Sequence, residues 1–237
     1  MQRVQRFRFR HDLTVPLLHP LSFLSLCPRT QILQALSFIL FITALPVCSH
    51  SSEIENCEQL FRTGEYQKCI NTAEAAILKK SYGSEWPLLK AQAELAVGQY
   101  AEARQTIDAG LKRYSWSLPL RLLAVQIYQL NNEHEAAATF LTSIHELASR
   151  SAWRYTDASS LVALGRASLL RNVDPGEVLE SFYDRAIKEY PDHKDAYLAS
   201  GNLALAKNDY ALAQETFTAA LKQLPDDADL LFGLARS

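Results

Sequence analysis

The segment His145-Glu146-Leu147-Ala148-Ser149 begins like a zinc-protease signature, in which two histidines four residues apart share one helical face and a glutamate acts as base. Ser149 stands where the second histidine is required, so the chelate lacks a ligand and the segment reads as a solvated helix end. Asp226 and Asp227 form a carboxylate pair, but they follow Pro225 at a turn, where such residues cap a helix. The cysteines Cys27, Cys48, Cys57 and Cys69 include no C-x-x-C metal pair. Phosphate loops of the G-x-x-x-x-G-K-[ST] type, G-x-S-x-G elbows and G-x-G-x-x-G turns are also absent. The chain is therefore read as non-enzymatic, with no catalytic residues, cofactor or metal.

The elements around these residues are organised by one interval. Gly64, Gly98 and Asn132 fall 34 residues apart, each followed two places later by Tyr66, Tyr100 and His134. Cys69, Ala103 and Ala137 keep the same step. A fixed period in this range marks stacked supersecondary units, and 34 is the tetratricopeptide value.

From residue 50 onward the pattern resembles tetratricopeptide repeats, whose paired helices pack through small residues at repeat positions 8, 20 and 27, with a large apolar residue at 24. Units 50–83, 84–117 and 118–151 supply Cys57/Cys69/Ala73/Ala76, Ala91/Ala103/Ile107/Gly110 and Val125/Ala137/Leu141/Ile144 at positions 8, 20, 24 and 27. A connection, 152–157, precedes the fourth unit, which carries Gly165, Leu179, Tyr183 and Ala186 and fits once two residues are inserted near Asn172-Val173. The fifth, 194–227, carries Gly201, Ala213, Phe217 and Ala220. Residues 228–237 match only a first helix, with Leu231, Leu234 and Ala235 on its inner face, and are read as a truncated sixth unit.

The predicted fold is thus all-α: a solenoid of about five repeats, 50–151 and 158–227, plus the partial sixth, preceded by a signal or anchor helix. Such an array buries its faces between neighbours. Tyr66, Tyr100, Tyr210 and Phe217 are expected to fill the gaps between units. Ser84 and Ser117 are expected N-caps, with Pro87 and Pro119 tolerated in the first turn, and Asp174-Pro175-Gly176-Glu177 reads as a helix start.

The resemblance also carries site expectations. First helices of such arrays line a concave groove, chiefly through positions 2, 5, 9, 12 and 13. Here those positions include Arg62, Leu88, Gln92, Gln126, Gln129, Arg166, Leu169, Asn202 and Leu205. This mixture of amides and apolar side chains lacks the lysine/asparagine/arginine cluster of the carboxylate-clamp subtype. It suits an extended or helical protein segment with apolar anchors; the same side chains as ordinary exposed scaffold are the other reading. Positions 8 and 20 face each other across the helix pair, so the resemblance implies a Cys57–Cys69 disulfide if the chain is exported. The alternative is that cysteine merely fills two small-residue slots. Trp153, Arg154 and Tyr155, in the connection, form a second candidate surface; packing between repeats is the competing reading.

Charge and targeting bound the setting. The chain has 237 residues, 48% hydrophobic, and a formal charge of −2. Residues 1–49 hold five arginines against Asp12, a net +4, which leaves −6 on the remainder. That acidic body argues against a nucleic-acid partner, which requires a concentrated basic face. Residues 32–48 form an uncharged apolar run between Arg29 and a polar HSSE segment, the pattern of a secretory signal cleaved after Ser49. An uncleaved anchor, with membrane association through 32–48, is the alternative, since 17 residues reach the lower limit for spanning a bilayer. An organellar transit peptide is a third. Pro46 and Val47 before Cys48 match a lipoprotein motif poorly. Residues 1–31, basic and interrupted by Pro16, Pro20 and Pro28, read as a disordered leader or an overextended translation start.

The expected function is an exported, periplasmic or extracellular, scaffold for a protein or peptide partner, or alternatively a membrane-tethered assembly factor. The stretches LFRTGEYQKCI, RLLAVQIYQLNNEHEAAA and LVALGRASLLRNVDPGEVLESFYDRA further resemble the N-terminal repeats of large secreted planctomycete-type tetratricopeptide proteins. This implies a third expectation, a shortened front module of a repeat and metallopeptidase-like protein.

Overall fold

The turn between paired helices is set by a single residue in the left-handed region: Gly64 (φ +78°), Gly98 (+82°), Asn132 (+61°), Asn172 (+61°) and Asn208 (+59°). Glycine has no Cβ to clash there, and asparagine is among the few other residues that visit it routinely. In each case the next N–H reaches back to a carbonyl five residues earlier, as from Glu65 to Leu60 (2.9 Å), Glu133 to Tyr128 (2.8 Å) and Asp209 to Ala204 (2.9 Å). These are Schellman closures, which satisfy carbonyls that the helix end leaves open.

The computed structural model describes residues 49–237, which are helical with short connections and contain no strand. Among the described residues eleven helices follow one another, the first ten in five pairs. Repeat 1 is α1 (Ser49–Arg62) and α2 (Tyr66–Leu78); repeat 2 is α3 (Glu85–Ala96) and α4 (Tyr100–Arg113); repeat 3 is α5 (Leu118–Leu130) and α6 (His134–Arg150). A short 3₁₀ turn, Ala152–Arg154, leads to repeat 4, α7 (Ala158–Leu170) and α8 (residues 175–189). Repeat 5 is α9 (Lys194–Ala206) and α10 (Tyr210–Gln223), followed by α11 (Ala228–Arg236). The leader at 1–31 and the apolar run at 32–48 lie outside the described residues. Among the described residues no helix is long and apolar enough to cross a membrane.

Repeat 4 resolves where its two extra residues go, and they are not together. One lies in the turn: Asn172 is followed by two residues, Val173 and Asp174, before Pro175, whereas the other four turns have one. The second is absorbed within α8, which runs Pro175–Val178, passes through a π turn at Leu179–Tyr183, and ends as Asp184–Glu189. A π turn closes one residue later than an α turn, so it takes up a single insertion without breaking the helix. Val178, fully buried, therefore takes the small-residue slot expected for Leu179, and Tyr183 and Ala186 fall back into phase.

Packing explains the small residues. A Cβ at Gly165 would lie 2.3 Å from the Tyr183 ring, and one at Gly201 2.4 Å from Phe217. Phe217 also abuts Gly233 of α11, so one ring bridges repeat 5 and the helix after it. Tyr66 is half-buried against Phe61 at a ring distance of 5.4 Å. Tyr100 and Tyr210 depart from expectation: both are about half exposed, at 46% and 52%. Each begins a second helix just beyond the turn, at the edge of the packed face.

Cap residues are likewise divided. Ser117 accepts from the N–H of Leu120 (3.4 Å), whereas Ser84 has helical backbone angles and makes no side-chain cap bond. Aspartates cap four others: Asp157, Asp174, Asp209 and Asp227 accept from the N–H groups of Ser160, Gly176, Leu212 and Leu230. Asp227 also accepts from Lys194 Nζ (3.0 Å).

On α11 the packed face is Leu230, Gly233 and Leu234, not the set Leu231, Leu234 and Ala235. The first three face repeat 5. Leu231 and Ala235 occupy the positions that in α9 (Tyr197 and Gly201) are buried, with Gly201 against the repeat's own second helix.

Candidate functional site

First helices present a continuous wall because every repeat offers the same register of that helix. Between α3, α5, α7 and the start of α9 they enclose a cavity of about 600 Å³. Six of the nine expected groove residues line it: Leu88 and Gln92 from α3, Gln126 and Gln129 from α5, Arg166 and Leu169 from α7. The other three do not. Arg62 is exposed at the end of α1, Asn202 is exposed on α9, and Leu205 packs partly against the core of repeat 5. A smaller hollow of about 380 Å³ continues the wall toward α1 through Phe61 and Tyr100, sharing Gln92 and Gln126.

The chemistry of this cavity is amide on apolar. Leu88, Leu122 and Val162 supply the floor, while the side-chain amides of Gln92, Gln126 and Gln129 make no hydrogen bond among the described residues. Arg166 is already committed. Its Nη2 and Nη1 donate to Asp195 Oδ1 (2.6 Å) and Oδ2 (3.0 Å), a two-point pair between repeats 4 and 5. The groove consequently offers no unpaired cation to a peptide carboxylate. His193, at the same end, has its Nε2 buried without a hydrogen-bond partner among the described residues. Behind the wall, burial pushes the Tyr183 phenol up to about 12, with Asp195 adding to the shift and Arg166 opposing it.

Pro119, Leu122, Ser159, Val162 and Asp195 were absent from the expected set although they occupy positions 2 and 5 of their repeats. The positional rule contained them. His193 lies in the turn before α9, and no periodic signal points to it.

Cys57 and Cys69 face each other across α1 and α2, both fully buried free thiols, with Sγ to Sγ at 3.3 Å. Cys57 is held above the usual thiol range by its contact with Cys69 and then by burial. The same contact favours loss of the first proton from Cys69. In the connection after α6, the aromatic pair splits. Tyr155 is buried in the core of repeats 2–4, while Trp153 is 77% exposed with the Arg154 guanidinium over its ring at 5.7 Å. His145 is half-buried on α6; burial, then the charge of Arg171, holds its pKa below the ordinary value. No group of three metal-ligating side chains occurs among the described residues.

Comparison with known proteins agrees with this architecture. A tetratricopeptide-repeat family model matches residues 168–213 and 198–237. The chain is similar in structure to a thermophilic tetratricopeptide-repeat protein of Thermus thermophilus, with 17% identity, 79% of this chain and 97% of that one covered, and a TM-score of 0.56. A tetratricopeptide-repeat protein of Parabacteroides merdae aligns at 15% identity over 78% of this chain and 71% of that one, with a TM-score of 0.42. No curated protein matches the chain. The described chain is thus an all-helical solenoid of the tetratricopeptide type, with family-level sequence evidence from residue 168 in repeat 4 through repeat 5 and α11.

Proposed function

We propose that the chain is an exported, non-enzymatic scaffold that seats an extended polypeptide segment along its first helices. One observation carries the reading: three uncommitted glutamine amides, Gln92, Gln126 and Gln129, stand over an apolar floor in a cavity of about 600 Å³ whose arginine is already neutralised. Amides can both donate to and accept from a peptide backbone, and the leucines receive alternate side chains. Acidic C-terminal tails are disfavoured, because Asp195 occupies the guanidinium they would need. Export rests on the apolar run at 32–48 and its flanks.

The test is selection of a random peptide library on the full chain, compared with a Gln126→Ala/Arg166→Ala variant. Enrichment of apolar peptides on the parent that disappears on the variant supports the groove; identical enrichment on both rejects it. N-terminal sequencing of the mature protein tests export, and a mature chain retaining Arg3 would reject cleavage.

A further inference from the structure

Helix α3 separates two cavities. Leu88 and Gln92 open onto the groove, whereas Lys90 and Glu94, each two residues further on, are turned about 200° round the helix axis. They line a second cavity of about 430 Å³, bounded by α2 and α4. Its base is apolar, formed by Ile77, Trp86 and Pro87, and Leu78 stands exposed at its rim.

Within it sits an ion pair with an unfilled place. Lys90 Nζ donates to Glu94 Oε1 (2.6 Å) and to Thr106 Oγ1 (3.0 Å). Glu94 is only 2% exposed, and its second oxygen, Oε2, is buried with no hydrogen-bond partner among the described residues. Leaving a buried acceptor unmatched is costly, and more so for a charged one. A donor delivered to Oε2 would remove that cost.

The surrounding charge says what kind of donor. Glu74 and Glu102 add two carboxylates to the cavity wall. Lys90 is matched by Glu94, and the remaining cation, Arg113, is turned to the Lys80 carbonyl (3.3 Å) and the Tyr114 ring (5.4 Å). An anion is therefore repelled, and a neutral amide could donate a hydrogen bond but would gain no charge attraction from Glu74 and Glu102. We propose that this cavity seats a basic side chain, lysine or arginine, of a partner polypeptide. Its head donates to Glu94 Oε2 within reach of Glu74 and Glu102. Its aliphatic stem lies on Ile77, Leu78 and Pro87, as long cationic side chains do on apolar surface. The site does not share its lining with the groove and stands or falls independently of it.

The experiment is a titration of the isotopically labelled full chain with acetyl-Ala-Leu-Lys-Leu-Ala-amide, following backbone amide resonances by NMR. A second peptide with norleucine in place of lysine keeps the stem and removes the charge. The lysine peptide is expected to shift Lys90, Glu94 and Thr106 and to bind about tenfold more tightly than the norleucine one. Glu94→Gln should abolish that difference. Because Glu94 is buried, Glu102→Gln is the companion variant; it lies on an exposed position and should narrow the difference about two- to threefold at unchanged helical content. Equal binding of the two peptides, shifts confined to groove residues such as Gln126, or an unaltered preference in Glu102→Gln and Glu94→Gln would each overturn the proposal.

Discussion

Arg166 donates to both carboxylate oxygens of Asp195, at 2.6 and 3.0 Å, and so joins the first helices of two successive repeats at the end of the groove. Both side chains are more than 40% exposed, so the pair contributes at most about 1 kcal/mol to stability. In the groove proposed above, its larger expected effect is on recognition. Asp195→Ala should leave the denaturation midpoint nearly unchanged yet release the guanidinium, raising affinity for a peptide with a free C-terminal carboxylate. Calorimetric titration with that peptide and its amidated counterpart checks this; no gain for the carboxylate form counts against the role given to Asp195.

Phe217 is wedged between two glycines, fully buried against both Gly201 and Gly233. Phe217→Ala should cost about 3–5 kcal/mol through lost burial and the void it leaves. Gly201→Ala drives a methyl into the same ring and should cost about 1–3 kcal/mol. Combined with Phe217→Leu, the glycine change should cost less than alone, because the two act on one contact. Urea denaturation of Phe217→Ala, Gly201→Ala, Phe217→Leu and the Gly201→Ala/Phe217→Leu double variant measures this, and strict additivity in the double would be the contrary result.

Cys57 and Cys69 need to close from 3.3 Å to about 2.05 Å to form a disulfide. With oxidised glutathione as oxidant, the two thiols lose two protons and two electrons, and the glutathione disulfide is reduced to two thiols. Intact mass should fall by two hydrogens and recover on reduction, and Cys57→Ser should prevent it. The bridge should raise stability by about 3 kcal/mol for so short a loop. Two thiols that remain alkylatable after oxidant and denaturant would show that they serve as packing alone.

His145 gives the fold a pH dependence of defined sign. Its folded pKa lies below the unfolded value of 6.5, because burial and Arg171 disfavour the imidazolium. The unfolded chain therefore binds the proton more readily. The stabilisation from neutral His145 is present above the unfolded pKa and is lost as pH falls through it toward the folded one. Thermal midpoints between about pH 7 and about pH 5.5 should drop less in His145→Asn than in the parent. Parallel slopes in the two proteins would remove His145 from the account.

Much of the fold was legible because local chemistry repeats. Gly64, Gly98 and Asn132 announce left-handed turns by residue type, and Asn172 and Asn208 fall at the same place in their repeats. Those turns fix where each helix stops, and the apolar period fixes which faces meet. The groove was legible to the same extent, through the register of Leu88, Gln92, Gln126, Gln129, Arg166 and Leu169.

What the sequence alone determined, then, was the repeat, its phase and the small-residue slots, since each depends on residues close in the chain. Tertiary structure decided the rest. The period placed Tyr183, but only the folded helix shows that its phase is reached through a π turn, with Val178 in place of Leu179. Only the approach of α9 to α7 turns Arg166 from an unpaired cation into half of an ion pair. Exposure of Tyr100 and burial of Glu94 depend likewise on what neighbouring helices cover. A one-dimensional period specifies which side of a helix a residue occupies, but its charge state, partners and solvent are set by side chains that can lie some thirty residues away.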